Sequence, residues 1–385
     1  MTLIYVIAGE ASGDVLGARL IAALRARRPD LDFAGIGGER MAEQGVPSLF
    51  DFRELALMGL LEVLPNIRRL ARRLDETVAD IAAKQPALLV TIDSPGFTLR
   101  VAERVRPTGL PVVHYVAPQV WAWRPGRVVK LKERVDRILC LLPFEPVFFE
   151  RAGIPVTFVG HPVLESGADA GDGARFRAAH GITPGQRPII VMPGSRRMEV
   201  SRLLPIFGRA LQIAGTQIPG LRPIVPVAPV VADTVRRATA AWPVPAILTE
   251  RLDDKHDAFA TAEAGLIKSG TSSLEMAVAR IPHVVGYRVN PLTAAIARKL
   301  LKVPYASLVN LLAERLVVPE EIQQDCTPER LAADIVRLLS DPAATAEQRA
   351  GFDEVLALLR PPQGRPSAAA AEAVLAELDR TRTAP

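Results

Sequence analysis

Hydrophobic and polar positions fall into two long alternating series. In the first, short apolar runs occupy residues 3–8 (LIYVIA), 31–36, 87–92 (ALLVTI), 111–116 (PVVHYV), 137–142 and 155–159. Such runs, bounded by turn residues, read as buried strands. Between them lie helical patterns. Residues 13–27 open after a Gly/Ser turn with Asp14 near the start, and residues 66–83 place Ile67, Leu70, Leu74, Val78 and Ile81 on one stripe. Residues 165–187 break the pattern with Gly, Ala and polar groups. A second series follows, with strands at 188–192, 223–227, 245–248, 264–267 and 282–287, and helices at 198–217, 231–241, 255–261 and 271–279. After a proline break at 361–366, Ser367 is placed to N-cap an Ala-rich helix through Arg380.

Strand–helix alternation of this kind predicts parallel strands with crossover helices. The expected fold is α/β, with two Rossmann-like, doubly wound parallel-sheet domains facing a central cleft. The expected divisions are a first domain over 1–165, a linker over 166–187, a second domain over 188–360 and a helical tail over 361–385. In open parallel sheets ligands bind beyond the carboxyl ends of the strands, so residues just after a strand carry the candidate chemistry.

Four such segments stand out. GEASGDVLG (9–17) follows the first strand and opens a helix. Its glycines permit close backbone approach and its helix start favours negative charge. The spacing is not the dinucleotide fingerprint, and a plain tight turn fits equally well. Glu10 would repel a phosphate there but would accept hydrogen bonds from sugar hydroxyls. Asp93 follows ALLVTI, and fits either a turn cap or a general base for an acceptor hydroxyl. PGSR (193–196) follows strand 188–192: Gly194 permits the turn, Ser195 can hydrogen-bond, and Arg196 offers a forked cation for phosphate, with an ordinary surface arginine as the alternative. KSGTSSLE (268–275) follows strand 264–267. Gly270, Thr271 and Ser272 would present donors to an anion, and Glu275 could accept ribose hydroxyls; alone, the Ser/Thr run is often only a cap. Taken with PGSR it reads as a nucleotide-diphosphate site. His114 and His161 also follow strands, with structural hydrogen bonding as the plainer role.

Composition narrows the classes. The 385 residues are 49% hydrophobic and 23% charged, an ordinary balance for a globular chain of two domains. Two cysteines exclude a disulfide framework. Aromatics at 5% argue against single-strand nucleic-acid platforms, and no P-loop pattern or zinc-ligand spacing occurs. No apolar run reaches membrane-span length, and the N-terminus lacks a signal-peptide pattern. The net charge of +5 is uneven: residues 100–134 hold eight basic and two acidic side chains. Arg68, Arg69, Arg72 and Arg73 follow the apolar segment 49–65. Each cluster reads either as a solvated helix face or as a surface for phosphate or anionic lipid.

GEASGD (9–14), MGLLEVL (58–64), TIDSPGF (91–97), HYVAPQVWAWRPGR (114–127), LPFE (142–145), FVGHP (158–162), MPGSR (192–196), SGTSSLE (269–275), VVGYR (284–288), SLVNLLA (307–313) and PEEIQ (319–323) occur in order. With these motifs the chain resembles the lipid-A-disaccharide synthases over about residues 3 to 360. The resemblance implies the GT-B fold and an inverting, metal-independent transfer without cofactor. UDP-2,3-diacylglucosamine would donate its sugar to 2,3-diacylglucosamine 1-phosphate, giving a β-1,6 disaccharide 1-phosphate and UDP. It implies Asp93 as base with Glu10 as second candidate, and Gly9, Ser12 and Gly13 beside the acceptor. Ser195, Arg196, Gly270, Thr271, Ser272, Glu275, Asn310 and Gln323 would hold the donor. The family often carries a second acid where this chain has Gly96, which leaves Asp93 as the only acid of that loop. Acylated substrates imply peripheral membrane work from the cytosolic face of the inner membrane, through Leu57, Met58, Leu60, Leu61 and the four arginines at 68–73. Rival readings are another UDP-GlcNAc enzyme, a non-catalytic sugar-nucleotide sensor, and a nucleic-acid binder, the last opposed by the sparse aromatics.

Overall fold

The computed structural model describes residues 2–55, 60–118, 128–290 and 303–383. The chain divides into two units, residues 1–162 with 359–385, and residues 163–358. Each is built on a six-stranded, wholly parallel sheet.

In the first unit the strands are β1 (Thr2–Ala8), β2 (Leu31–Ile36), β3 (Leu88–Ile92), β4 (Val112–Tyr115), β5 (Arg137–Cys140) and β6 (Val156–Phe158), in the order β2-β1-β3-β4-β5-β6. The chain winds outward from β1 one way and from β3 the other, so the switch point lies between β1 and β3. Their register pairs Ala8 with Ile92, which sets the loops after both strands side by side. The middle of the sheet is buried on both faces: Ile4 to Ala8 and Leu88 to Val90 are at most 0% exposed. That is why these strands read as unbroken apolar runs. Helix α1 (Ala11–Arg27) buries Leu16, Leu20, Ile21 and Leu24. Gly13 packs against β1 and β3, where a Cβ would lie 3.4 Å from Ala8 Cβ and 3.5 Å from Ile92 O, ordinary van der Waals contact.

In the second unit the strands are β7 (Arg187–Met192), β8 (Leu221–Pro226), β9 (Ile247–Thr249), β10 (Ala264–Ile267), β11 (His283–Tyr287) and β12 (Glu320–Ile322), in the order β12-β11-β10-β7-β8-β9. The switch point falls between β7 and β10, where Met192 pairs with Ile267. The helix Arg197–Gly215 and the helix Pro328–Ser340 bury Leu203, Phe207, Leu211, Leu331 and Ile335 in one core.

Three expectations about domain layout change. Residues 166–187 are not a bare linker. They carry the helix Gly173–Ala179, whose N-cap Asp172 accepts from Arg175 N–H at 3.0 Å. Phe176 is buried, and Arg175 makes a two-pronged ion pair with Asp257 at 2.6 and 2.7 Å, so the segment belongs to the second unit. The tail is an integral part of the first unit: the helix Pro366–Thr383 packs on α1, and its buried Glu377 receives Arg137 at 3.0 Å as well as Arg380. Its first residue is Pro366, so Ser367 lies inside the helix instead of capping it.

Candidate active site

At the first switch point the chain makes two consecutive left-handed residues, Asp93 (φ 50°) and Ser94 (φ 47°), before Pro95 starts helix α4 (Pro95–Val105). Asp tolerates this conformation better than most residues. The turn is locked from three sides. Asp93 N–H donates to Tyr115 O at 2.9 Å. Thr98 Oγ1 donates to Asp93 O at 2.8 Å and Ser94 O at 3.0 Å. The carboxylate Oδ1 accepts from Ser94 N–H at 2.8 Å. Burial pushes the Asp93 carboxyl pKa up, against a downward pull from that Ser94 bond. A rigid, half-buried carboxylate with a raised pKa is suited to taking a proton.

The GEASGD loop abuts this turn. A Cβ on Gly9 would fall 2.5 Å from Ser94 Cβ, so glycine is required by contact between the two loops. Glu10 is half-buried in extended conformation just before α1, and its side chain does not cap that helix. Ser12 is exposed. Gly13 is buried against β1 and β3. Asp14 has a structural role that the pattern did not reveal. Its buried carboxylate accepts from Gly38 N–H at 2.7 Å and from Arg40 and Met41 N–H at 3.0 Å. Gly96 is exposed with nothing near its would-be Cβ, so the acid common in the family would meet no obstacle there.

The second switch point opens a cavity of about 450 Å³. Ser195 from PGSR and Thr271, Ser272 and Glu275 from SGTSSLE all line it, so segments far apart in sequence meet there. Gly194 (φ 121°) and Gly270 (φ 141°) make the two turns. Arg196 stands beside Ser195 with its guanidinium 3.4 Å from Glu199. Glu275 is held by Lys255 Nζ at 2.8 and 3.0 Å. The far wall comes from the ends of β8 and β9, including Val227, Ala228 and Arg251. Lys255, Lys268 and Arg251 were missed in the sequence. Only Lys268 carried a signal, its place immediately after a strand.

Two donor candidates from the resemblance, Asn310 and Gln323, are not among the residues lining this cavity. Asn310 is fully buried and its amide is spent on the fold. Oδ1 accepts from Val317 N–H at 2.8 Å and Val318 N–H at 2.9 Å, while Nδ2 donates to Val318 O and Glu320 Oε1, both at 2.8 Å. With two donors and two acceptors satisfied it has no capacity left for a ligand. Gln323, just past β12, is left-handed (φ 57°), and its Oε1 accepts from Val289 N–H at 3.4 Å. His114 and His161 are buried, and burial drives each pKa down to about 4. His114 Nδ1 pairs with Thr91 Oγ1 at 2.8 Å, so this neutral ring serves the fold.

The basic clusters are partly consumed. Arg73 binds Glu54 at 2.6 Å and Glu76 at 2.8 Å and lies over the Phe50 ring, while Arg69 is drawn to Glu54 at 3.7 Å. Both therefore spend part of their charge within the unit. Leu55 and Phe50 belong to the core, as does part of the segment 49–65. Arg68, Arg72 and the half-exposed Ile67 (50%) remain at the surface of helix α3 (Leu60–Lys84). Leu57 and Met58 lie outside the described residues, as do Arg124 and Arg127; Leu60 and Leu61 fall within α3, their side chains undescribed. In the 100–134 stretch Arg104, Arg106 and Arg134 are paired with Asp75, Asp136 and Glu103.

Two doubly wound units, each with polar residues gathered at its switch point, define the GT-B class of fold. The UDP-N-acetylglucosamine 2-epimerase of Neisseria meningitidis, solved with UDP-GlcNAc bound, has this fold: its TM-score is 0.63 at 13% identity, covering 99% of this chain and 100% of that one. The family model described as lipid-A-disaccharide synthetase matches residues 4–374. Lipid-A-disaccharide synthases of Rhodospirillum centenum and Gluconobacter oxydans are 53% and 52% identical, each over 97% of this chain and over 94% and 90% of their own lengths. The chain belongs to the lipid-A-disaccharide synthase family, hexosyltransferases of lipid A biosynthesis.

Proposed function

We propose that the chain transfers the diacylglucosamine of UDP-2,3-diacylglucosamine to O6 of 2,3-diacylglucosamine 1-phosphate. Asp93 takes the proton from the acceptor 6-hydroxyl. The freed O6 lone pair forms the bond to the donor C1 as the bond from C1 to the diphosphate oxygen breaks. UDP leaves with that electron pair, and the α-linked donor gives a β-1,6 product. The observation that carries this reading is the locked, half-buried Asp93 with its raised pKa, at the switch point beside Glu10. Glu10 would orient the acceptor, with Gly9 and Ser12 beside it.

The donor half is supported by the cavity of the second unit. Ser195, Gly270, Thr271 and Ser272 would donate to the diphosphate, with Arg196 supplying charge. Glu275, fixed by Lys255, would accept from the ribose. Gln323 would approach the donor from β12. Stabilising the departing UDP with fixed donors and cations is the role otherwise given to a divalent metal. The expected site is the cytosolic face of the inner membrane, approached peripherally through α3; among the described residues no helix is long and apolar enough to cross a membrane.

The test is a product assay with both acylated substrates in excess EDTA. A β-1,6 disaccharide 1-phosphate and UDP in equal amounts are expected. Loss of product on chelation, restored by magnesium, contradicts the metal-independent scheme. UDP release without disaccharide contradicts the acceptor assignment.

A further inference from the structure

Lys268 stands directly after β10, at the second switch point. Its N–H donates to Met192 O at 2.8 Å, which fixes it beside the end of β7. Its side chain lines the cavity and is only 19% exposed. Burial pushes the ammonium pKa down, partly opposed by the Glu199 charge. A cation in such a wall needs a reason to stay there.

Glu199 supplies it. It sits in the first turn of the helix Arg197–Gly215, with its side chain 10% exposed. Its Oε1 is 3.4 Å from Arg196 Nη1 and 4.0 Å from Lys268 Nζ. Its Oε2 is buried without a hydrogen-bond partner among the described residues. One carboxylate is thus shared by two cations, and the wall keeps a net positive charge. The 4.0 Å separation is too long for a hydrogen bond, so Glu199 tethers Lys268 electrostatically and leaves the ammonium protons for another acceptor.

We infer that Lys268 is a diphosphate-binding residue of the donor cavity, held ready by Glu199 as a positioning residue. Its ammonium donates to a phosphate oxygen of the nucleoside diphosphate and meets the charge that grows there as the sugar–phosphate bond breaks. A compact ammonium suits a phosphate oxygen, and a charge-assisted bond in a half-buried wall is stronger than one in water. This rests on the reading of the cavity as the donor site.

The experiment is titration of the full chain with UDP and with uridine, for the unsubstituted protein, Lys268→Gln and Lys268→Arg. The unsubstituted protein is expected to bind UDP far more tightly than uridine. Lys268→Gln should weaken UDP about tenfold to a hundredfold while leaving uridine within about twofold, and Lys268→Arg should recover most of the loss. Uridine binding doubles as the check that the cavity is intact. Should the Gln variant fail that check, Lys268→Met keeps the aliphatic stem and carries the same comparison. UDP affinity unchanged in a variant that still binds uridine overturns the role of Lys268 alone. An unsubstituted protein that does not prefer UDP to uridine overturns the donor reading of the cavity, and the inference with it.

Discussion

Asp93 and Asn310 show how little a polar residue's type says about its work. Both stand in motifs shared with the family, and both are at least half-buried. Asp93 sits in a left-handed turn at a strand end, with its backbone spent on the fold and its carboxylate at the switch point. Asn310 has every donor and acceptor engaged by its own unit. Position after a strand was readable from sequence and pointed to Asp93, Ser195 and the 270–272 turn. Saturation of Asn310 by the backbone of Val317 and Val318 and by the Glu320 carboxylate was not, because no local pattern encodes which partner a buried amide finds. The two roles separate experimentally. Asn310→Ala orphans two buried N–H groups and is expected to lower unfolding free energy by about 3 kcal/mol in urea titration. UDP affinity of the folded variant should stay unchanged; a large loss of UDP affinity at full stability would return Asn310 to the donor site.

Among the elements, long strands and helices were legible because their periods repeat over many residues. The three-residue β12, with Glu320 and Glu321 in it, carries too few apolar positions to read as a strand. The helix Gly173–Ala179 was hidden by its Gly-rich setting, and it is held by Asp172 and the Arg175–Asp257 pair instead of a broad apolar face. Helix α3 shows the opposite case. Four members of its stripe face the core, Leu74 and Ile81 buried and Leu70 and Val78 packed on it, while Ile67 is 50% exposed, and its four arginines divide into two kinds. Arg69 and Arg73 close onto Glu54, while Arg68 and Arg72 stay exposed. Sequence could not make that division, because Glu54 lies in a separate 3₁₀ turn (Phe52–Leu55). Arg68→Glu with Arg72→Glu is therefore expected to weaken binding to anionic vesicles by about 1 kcal/mol per arginine removed, read by flotation. Flotation unchanged in the double variant would exclude this end of α3 from the membrane contact.

Across the whole molecule, the proposed function gives the two units different halves of one reaction. Strand order places Glu10 and Asp93 at the first unit's switch point and the Ser195–Lys268–Thr271 wall at the second's. Charge follows the same division of labour. The sequence's basic excess at 100–134 is spent in part on Asp75, Asp136 and Glu103, so it is a weaker guide to the acceptor than the position of Asp93. Because burial lifts the Asp93 pKa above the ordinary 3.8, its ionisation costs the fold stability as pH rises from 3.8 up through the raised value. In the proposed mechanism the same ionised form is the base, so turnover is expected to rise with pH over that window while this stability contribution falls. Asn at 93 keeps the turn and cannot take the proton. The most direct measurement is the pH profile of kcat/KM for the unsubstituted protein beside Asp93→Asn, with UDP affinity measured on both. Expected are an acid limb above the usual aspartate range, a loss of about a thousandfold in the variant, and equal UDP affinities. Near-normal turnover in Asp93→Asn, with the acid limb still in place, would contradict the role of Asp93 as base.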